Sequence, residues 1–358
     1  MTKTILLTGG GTAGHVTPNL ALLPQLRAEG YAIHYVGTAE GIEKTLLAGE
    51  PDVVYHVITA GKLRRYFSLK NLADPFRVLK GIWQARRIVR QVKPDVVFSK
   101  GGFVSVPVVV AAHSKAPVIT HESDYTPGLA NKIAARFADT VCVTFEDTLQ
   151  YVGPKGVFTG TPIRHTLYEG KAEKGLAFTG FTGKRPILLS MGGSQGAQAI
   201  NEALREALPR LSKTYDIIHL CGKGKVDPNI QNAAYRQYAY IGPELPDLFA
   251  CADFVLSRAG ANAVFEFLAL AKPALLIPLP LSASRGDQIL NANYFARKGY
   301  AMLLEQEKLT PDSLVEALDT LYENRLQFIS TMTSDPHVDG TEEVLAIIRQ
   351  AAERGKQG

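Results

Sequence analysis

The chain has only three cysteines in 358 residues, Cys142, Cys221 and Cys251, and no C-x-x-C pair among them. So odd and scattered a set excludes a disulfide framework and a cysteine zinc site. Each thiol lies in or beside an apolar run and reads as buried and free. No apolar run approaches the ~18 residues that a membrane-spanning helix requires. The longest, Val104 to Ala112, is interrupted by Pro107. The sequence enters a strand almost at once, which leaves no room for a signal peptide; it reads as cytoplasmic, or peripheral on a membrane. Net charge is only +5, too small an excess to argue for nucleic acid, although it suits anionic ligands or an anionic surface.

What the chain does have is apolar sequence, 46%, against 20% charged residues, a globular profile in a length that suits two domains. Strand-like runs at Ile5–Leu7, Ile33–Val36, Val53–Ile58, Val96–Phe98, Val118–Thr120 and Val141–Val143 alternate with helical patterns at Pro18–Glu29, Asp74–Val92 and Gly128–Phe137. After Gly160-Thr161-Pro162 a second series begins. Its strands are expected at Ile187–Ser190, Ile217–Leu220, Tyr238–Ile241, Phe254–Leu256 and Leu275–Ile277. Its helices are expected at Ala197–Leu211, Leu245–Cys251, Ala261–Ala269, Gln288–Lys298 and Pro311–Glu323. Buried runs alternating with helices indicate parallel sheets covered on both faces. The expectation is an α/β chain of two domains, 1–163 and 164–340, with a tail helix within 341–358. Val344, Ile347 and Ile348 give that helix an apolar face, which the first domain could cover. Ligands of such sheets bind beyond the carboxyl ends of the strands, so a cleft between the domains is the expected site.

Each series opens with strand, glycine turn and helix. The first turn is Thr8-Gly9-Gly10-Gly11-Thr12-Ala13-Gly14-His15, and the second is Ser190-Met191-Gly192-Gly193-Ser194-Gln195-Gly196-Ala197. Glycines let a ligand approach the backbone, and the first amides of a helix attract anions. His15 stands where the first turn becomes helix, and an imidazole of reference pKa ~6.5 can accept a proton near neutrality. Gly9, Gly11 and Gly14 also match G-x-G-x-x-G. A dinucleotide site would want an acid closing the second strand, but that strand ends Tyr35-Val36-Gly37-Thr38, with Glu40 beyond it. A two-domain NAD-dependent oxidoreductase is therefore the rival from another reaction class.

Lys100-Gly101-Gly102-Phe103 is a further glycine turn, either a plain tight turn or part of the same site. His121-Glu122-Ser123-Asp124 gathers three side chains able to ionise at one strand end. A metal there would have only Glu122-x-Asp124 and no D-x-D pair, a thin metal–diphosphate motif. Within Ser257-Arg258-Ala259-Gly260-Ala261-Asn262-Ala263-Val264-Phe265-Glu266, small residues let a diphosphate lie on a helix start. Glu266 either complements the helix dipole or accepts hydrogen bonds from a sugar diol. Asp287 reads as a plain N-cap, with Gln288 and Asn291 sharing a helix face.

Charge is concentrated between Lys62 and Lys93. There Lys62, Arg64, Arg65, Lys70, Arg77, Lys80, Arg86, Arg87, Arg90 and Lys93 meet a single acid, Asp74. Val78, Ile82, Ala85 and Val89 form one stripe that can dock the helix on its sheet. Phe76, Leu79 and Trp83 lie on another side among the cations, which suits the headgroup boundary of an anionic membrane. The plainer alternative is that a loop or the tail helix covers them.

Together these motifs resemble the MurG family, glycosyltransferases that add N-acetylglucosamine to undecaprenyl-linked muramoyl-pentapeptide in peptidoglycan synthesis. The resemblance rests on Gly10-Gly11-Thr12-Ala13-Gly14-His15, Gly101-Gly102-Phe103, His121-Glu122, Thr161-Pro162-Ile163-Arg164, Gly192 to Ala197, Arg258-Ala259-Gly260-Ala261 with Glu266, and Gln288 with Asn291. Their order and spacing span nearly the whole chain. The resemblance implies the GT-B fold: two Rossmann-like domains facing across a cleft, with the C-terminal helix returning to the first.

It also implies a UDP-N-acetylglucosamine donor held mainly by the second domain. Ser194, Gln195 and Gly196 would hold the diphosphate, together with the helix start at Ala261, Asn262 and Ala263. Arg164 and Ile241 would contact the nucleotide, Glu266 the ribose and Gln288 the sugar, while Thr12, Ala13 and Gly14 close over the donor. His15 is the candidate base and Glu122 the second candidate catalytic residue; Asp124 is a candidate substrate contact. The implied chemistry is direct, inverting displacement without a metal or cofactor, by a peripheral protein at the cytoplasmic face of the membrane. Four positions depart from the family's usual residues: Ala13 for glycine, Phe103 for tyrosine, Thr161 for asparagine and Asp124 for asparagine. Phe103 and Asp124 belong to the first domain, so a paralogue acting on another lipid-linked or small acceptor is the alternative.

Overall fold

A computed structural model of the chain describes residues 2–61, 74–193 and 196–355. It divides into two units, Met1–Arg164 with Asp339–Gly358, and His165–Val338. Arg164 thus groups with the first unit.

The first unit runs β1 (Thr4–Thr8), α1 (Thr17–Ala28), β2 (Ala32–Gly37), α2 (Ile42–Leu46), β3 (Val54–Val57), α3 (Asp74–Val92), β4 (Val96–Ser99), α4 (Ser105–Ala112), β5 (Val118–Glu122), α5 (Leu129–Phe137), β6 (Thr140–Val143), α6 (Leu149–Val152) and β7 (Gly156–Phe158). Its strands pair in parallel in the order β3-β2-β1-β4-β5-β6-β7. The second unit runs α7 (Ala172–Thr179), β8 (Ile187–Met191), α8 (Gln198–Leu211), β9 (Asp216–Leu220), β10 (Tyr235–Tyr238), α9 (Leu245–Cys251), β11 (Phe254–Ser257), α10 (Ala261–Ala269), β12 (Ala274–Leu276), α11 (Asp287–Lys298), β13 (Ala301–Leu303), α12 (Pro311–Glu323) and α13 (Arg325–Thr333). Its parallel sheet has the order β10-β9-β8-β11-β12-β13. The chain then returns to the first unit as α14 (Thr341–Gly355).

Strand β1 is apolar at successive positions because its two faces meet different helical layers. Ile5 and Leu7 join Leu22, Leu23 and Leu26 of α1 and Val344, Leu345 and Ile348 of α14. Leu6 joins Ala85, Ile88 and Val89 of α3 and Val108 and Val109 of α4. The tail helix therefore completes one face of the first sheet. Arg349 pins it from outside, donating to Glu29, the C-cap of α1, at 2.6 Å and to Glu342 at 2.5 Å.

One strand expectation is corrected. The strand read at Tyr238–Ile241 lies three residues earlier, at Tyr235–Tyr238, so Ile241 follows it as a buried residue outside any strand. The longest apolar run forms helix α4, Ser105–Ala112, with Val104 as its N-cap. Pro107 falls in its first turn, where an amide needs no intrahelical partner, and a helix apolar on all sides is a buried one.

Helix α3 buries Ala85, Ile88 and Val89, whereas Phe76, Leu79 and Trp83 are 74%, 63% and 64% exposed. Trp83 shares its surface with Arg86, Arg87 and Arg90. Lys62, Arg64, Arg65 and Lys70 of the basic stretch lie outside the described residues. Among the described residues no helix is long and apolar enough to cross a membrane.

Candidate active site

In each sheet the first strand of the series, β1 or β8, sits between the second and the fourth. Connections leave in opposite directions on its two sides, and α/β sheets bind ligands at that switch point. All four turns there are ones the sequence singles out: those after β1, β4, β8 and β11.

In the first unit the two glycine turns touch. A Cβ built on Gly11 would fall 2.4 Å from the Phe103 ring, and one on Gly102 would fall 2.2 Å from the Gly10 carbonyl oxygen and 3.1 Å from His15 Nδ1. Residues Ala13–His15 form a short 3-10 turn, and His15 Nδ1 lies 3.0 Å from Thr12 Oγ1. Thr12 and Gly14 are exposed, while Ala13 and His15 are half-buried.

Beneath this turn lies a carboxylate that sequence reasoning missed. Glu43 is fully buried and accepts from Gly11 N at 3.3 Å, Thr38 N at 2.9 Å and Thr38 Oγ1 at 2.7 Å. Both of its oxygens are engaged by the glycine turn and by Thr38, so it braces the turn from beneath. The signal in the sequence was faint: Gly10, Gly37 and Gly41 surround Glu43, and a Cβ on any of them would meet its side chain within 2.7 Å.

The loop after β5 is held from within. Glu122 is buried, and its carboxylate accepts from Asp124 N at 2.9 Å, Gly128 N at 3.0 Å and Asn131 Nδ2 at 2.8 Å. Burial, then the neighbouring Asp124 charge, push its pKa up. Asp124 is half-buried on the same loop. His121 Nε2 donates to the Gly160 carbonyl at 2.9 Å, which leaves Nδ1 as an acceptor. Lys100 Nζ reaches that nitrogen at 2.7 Å and Ser123 Oγ at 2.5 Å. Lys100 itself is wholly buried, a second residue whose position the sequence did not reveal.

In the second unit, helices α8 and α10 begin at the switch point with Ala197 and Gly260 as N-caps, residues whose own side chains cannot cap the first amides. Their first amides suit an anion. Gly196 has φ +67 and packs so closely that a Cβ would lie 1.9 Å from the Cys221 carbonyl oxygen. Ala261, Asn262 and Ala263 form the first turn of α10, and Glu266 is half-buried farther along it. Buried Arg258 donates through Nη1 to the Ile277 and Pro278 carbonyls at 2.9 and 3.2 Å. It ties the turn after β11 to the exit of β12. Asn291 donates to the Ala259 carbonyl at 3.1 Å, and Gln288 accepts from Leu279 N at 3.1 Å. Ser194 and Gln195 lie outside the described residues. Arg164 is half-buried in the first unit.

Residues 5–143 match the glycosyltransferase family 28 N-terminal domain, and residues 187–347 match its C-terminal domain. The chain is 51% identical over 353 residues, 98% of each chain, to the UDP-N-acetylglucosamine–N-acetylmuramyl-(pentapeptide) pyrophosphoryl-undecaprenol N-acetylglucosamine transferase of Clostridium tetani. The chain belongs to the MurG family. The Clostridium perfringens transferase of the same name is also 51% identical, over 351 residues that cover 97% of this chain and 98% of that one. Crystalline MurG from Acinetobacter baumannii shares the fold with a TM-score of 0.76 at 27% identity, covering 97% of this chain and 99% of its own. Two parallel-sheet α/β domains are the MurG architecture that the sequence motifs led us to expect.

Proposed function

We propose that this chain transfers N-acetylglucosamine from UDP-N-acetylglucosamine to the 4-hydroxyl of the muramyl sugar in an undecaprenyl-diphosphate-linked pentapeptide, with inversion. The observation that carries this reading is the 51% identity over 353 residues to a transferase of that name, met by a switch point where two helices start at Ala197 and Gly260. Those helix starts and Gly196 hold the donor diphosphate, with Glu266 at the ribose, Ile241 at the base and Gln288 at the sugar. Thr12, Ala13 and Gly14 belong to the closing turn.

His15 is the base. Its Nδ1 pairs with Thr12 Oγ1 at 3.0 Å; in the tautomer that carries the proton on Nδ1, Nε2 is the atom that takes the acceptor hydroxyl's proton. The acceptor oxygen bonds to the sugar's anomeric carbon as the bond to UDP breaks. UDP leaves with the electron pair, which the helix amides and Arg164 stabilise, and the hydroxyl proton passes to His15. Glu122 has both carboxylate oxygens engaged within its own loop, so its part is to shape the acceptor loop that carries Asp124.

The test is to offer the purified protein labelled UDP-sugars with a short-chain analogue of the muramyl-pentapeptide lipid. Transfer of N-acetylglucosamine to the muramyl sugar is expected. Donor turnover only with another acceptor would overturn the acceptor half of the reading.

The exposed Phe76, Leu79 and Trp83, set beside Arg86, Arg87 and Arg90, serve as the contact with an anionic membrane, where a peripheral enzyme meets a lipid-linked substrate. Trp83→Glu is expected to weaken sedimentation with phosphatidylglycerol vesicles and to leave UDP affinity unchanged. Equal vesicle binding by parent and variant would remove this role.

A further inference from the structure

Lys100 is a buried cation at the junction of three site loops. Its amide donates to the Thr8 carbonyl at 2.9 Å, and its Cβ lies 3.2 Å from where a Cβ on Gly9 would sit, so it backs directly onto the first glycine turn. It opens the second glycine turn itself. Its ammonium crosses to the loop after β5, at 2.7 Å from His121 Nδ1 and 2.5 Å from Ser123 Oγ. A fully buried ammonium is rare unless it is paired. Here the partners that hydrogen-bond it are a neutral imidazole and a hydroxyl, and the balancing charges are the nearby Glu122 and Asp124 carboxylates. From β6, the Cys142 thiol is held neutral, its pKa pushed up by burial to about 12.

We propose that Lys100 is a positioning residue for the anionic acceptor: held between His121 and Ser123, it fixes the loop from β5 to α5 and offsets the Glu122 and Asp124 charges there. This inference rests on the acceptor assigned above, whose diphosphate is an anion that uncompensated carboxylates on this loop would repel. Lysine here differs from an arginine in one useful way. Burial brings its pKa down to about 7, so its charge responds to pH in the working range. As the ammonium deprotonates, the loop loses its counter-charge and the acceptor should bind more weakly. The donor, held in the second unit, should not respond.

The test is steady-state kinetics with UDP-N-acetylglucosamine and the short-chain acceptor analogue from pH 6 to 9. In the parent, the acceptor KM is expected to rise as the pH passes about 7 and to level off near the value of Lys100→Met, with a flat donor KM. Lys100→Met should have a raised acceptor KM at pH 6 and no climb. Lys100→Arg, charged throughout, should keep the low acceptor KM across the range. If Lys100→Met does not fold, the parent's profile and the arginine variant decide. A parent that transfers normally but whose acceptor KM ignores pH removes the role of Lys100 alone, as does a methionine variant with the parent's profile. A parent that transfers nothing to this acceptor removes the assignment on which the inference rests as well.

Discussion

His15→Ala is expected to lower kcat by roughly 100- to 10,000-fold, the range a positioned general base contributes, with donor affinity within about threefold of the parent. The expectation follows from where the imidazole stands. It closes the first glycine turn, its Nδ1 is oriented by Thr12 Oγ1 at 3.0 Å, and Gly102 leaves the space beside that nitrogen open. Thr12→Val removes only the orienting hydrogen bond, so it should cost about tenfold, the equivalent of roughly 1.4 kcal/mol. Thr12 acts through His15, so the double variant should be no slower than His15→Ala alone. Single-turnover rates at saturating donor decide the matter. A His15→Ala enzyme within a few fold of the parent means that another group takes the proton.

The parts of this site that the sequence made legible are the parts that obey local rules. Strand, glycine turn and helix recur after β1 and β8, and the apolar periods on either side locate the turns to within a residue or two. Edge strands were harder. Strand β10 is Tyr235-Arg236-Gln237-Tyr238, whose polar interior reads less like a strand than the Tyr238-Ala239-Tyr240-Ile241 that follows it. Strands β7 and β13, three residues each, are too short to show a period. Lys100 and Glu43 were illegible for a different reason. Hydrophobic patterning reports which positions avoid water, and it assigns a charged residue to the surface by default. Only the tertiary structure brings the donors of Gly11 and Thr38 to Glu43, or His121 and Ser123 to Lys100. The turn after β11 shows the same limit. Its small residues are plain in the sequence, but the burial of Arg258 against the carbonyls of Ile277 and Pro278 is not.

Gly102→Ala is the second change with a large expected effect, because it strikes both first-unit turns at once. Gly102 has φ +80, a region that costs an L-residue roughly 1–2 kcal/mol. Its carbonyl also accepts from Ser105 N at 3.2 Å and Ser105 Oγ at 2.8 Å, so the start of α4 holds the residue in that conformation. A new Cβ would stand 2.2 Å from the Gly10 carbonyl oxygen, and backbone cannot swing aside as a flexible side chain can. Overpacking of that kind adds about 1–3 kcal/mol, so a total loss of roughly 2–5 kcal/mol is expected. The relief available is to push the Gly10-to-His15 turn outward, and misplacing a reacting group by about 1 Å costs on the order of 100-fold in rate. Gly30→Ala supplies the comparison. Gly30 has φ +75 in the same unit, yet nothing lies within 4 Å of its added Cβ, so it carries the left-handed strain without the collision. Denaturant midpoints and kcat should therefore separate the two variants, with Gly30→Ala mildly destabilised and fully active. Equal stability and equal rates for both would mean that the two glycine turns do not press on each other, and the contact between them would no longer explain how His15 is held.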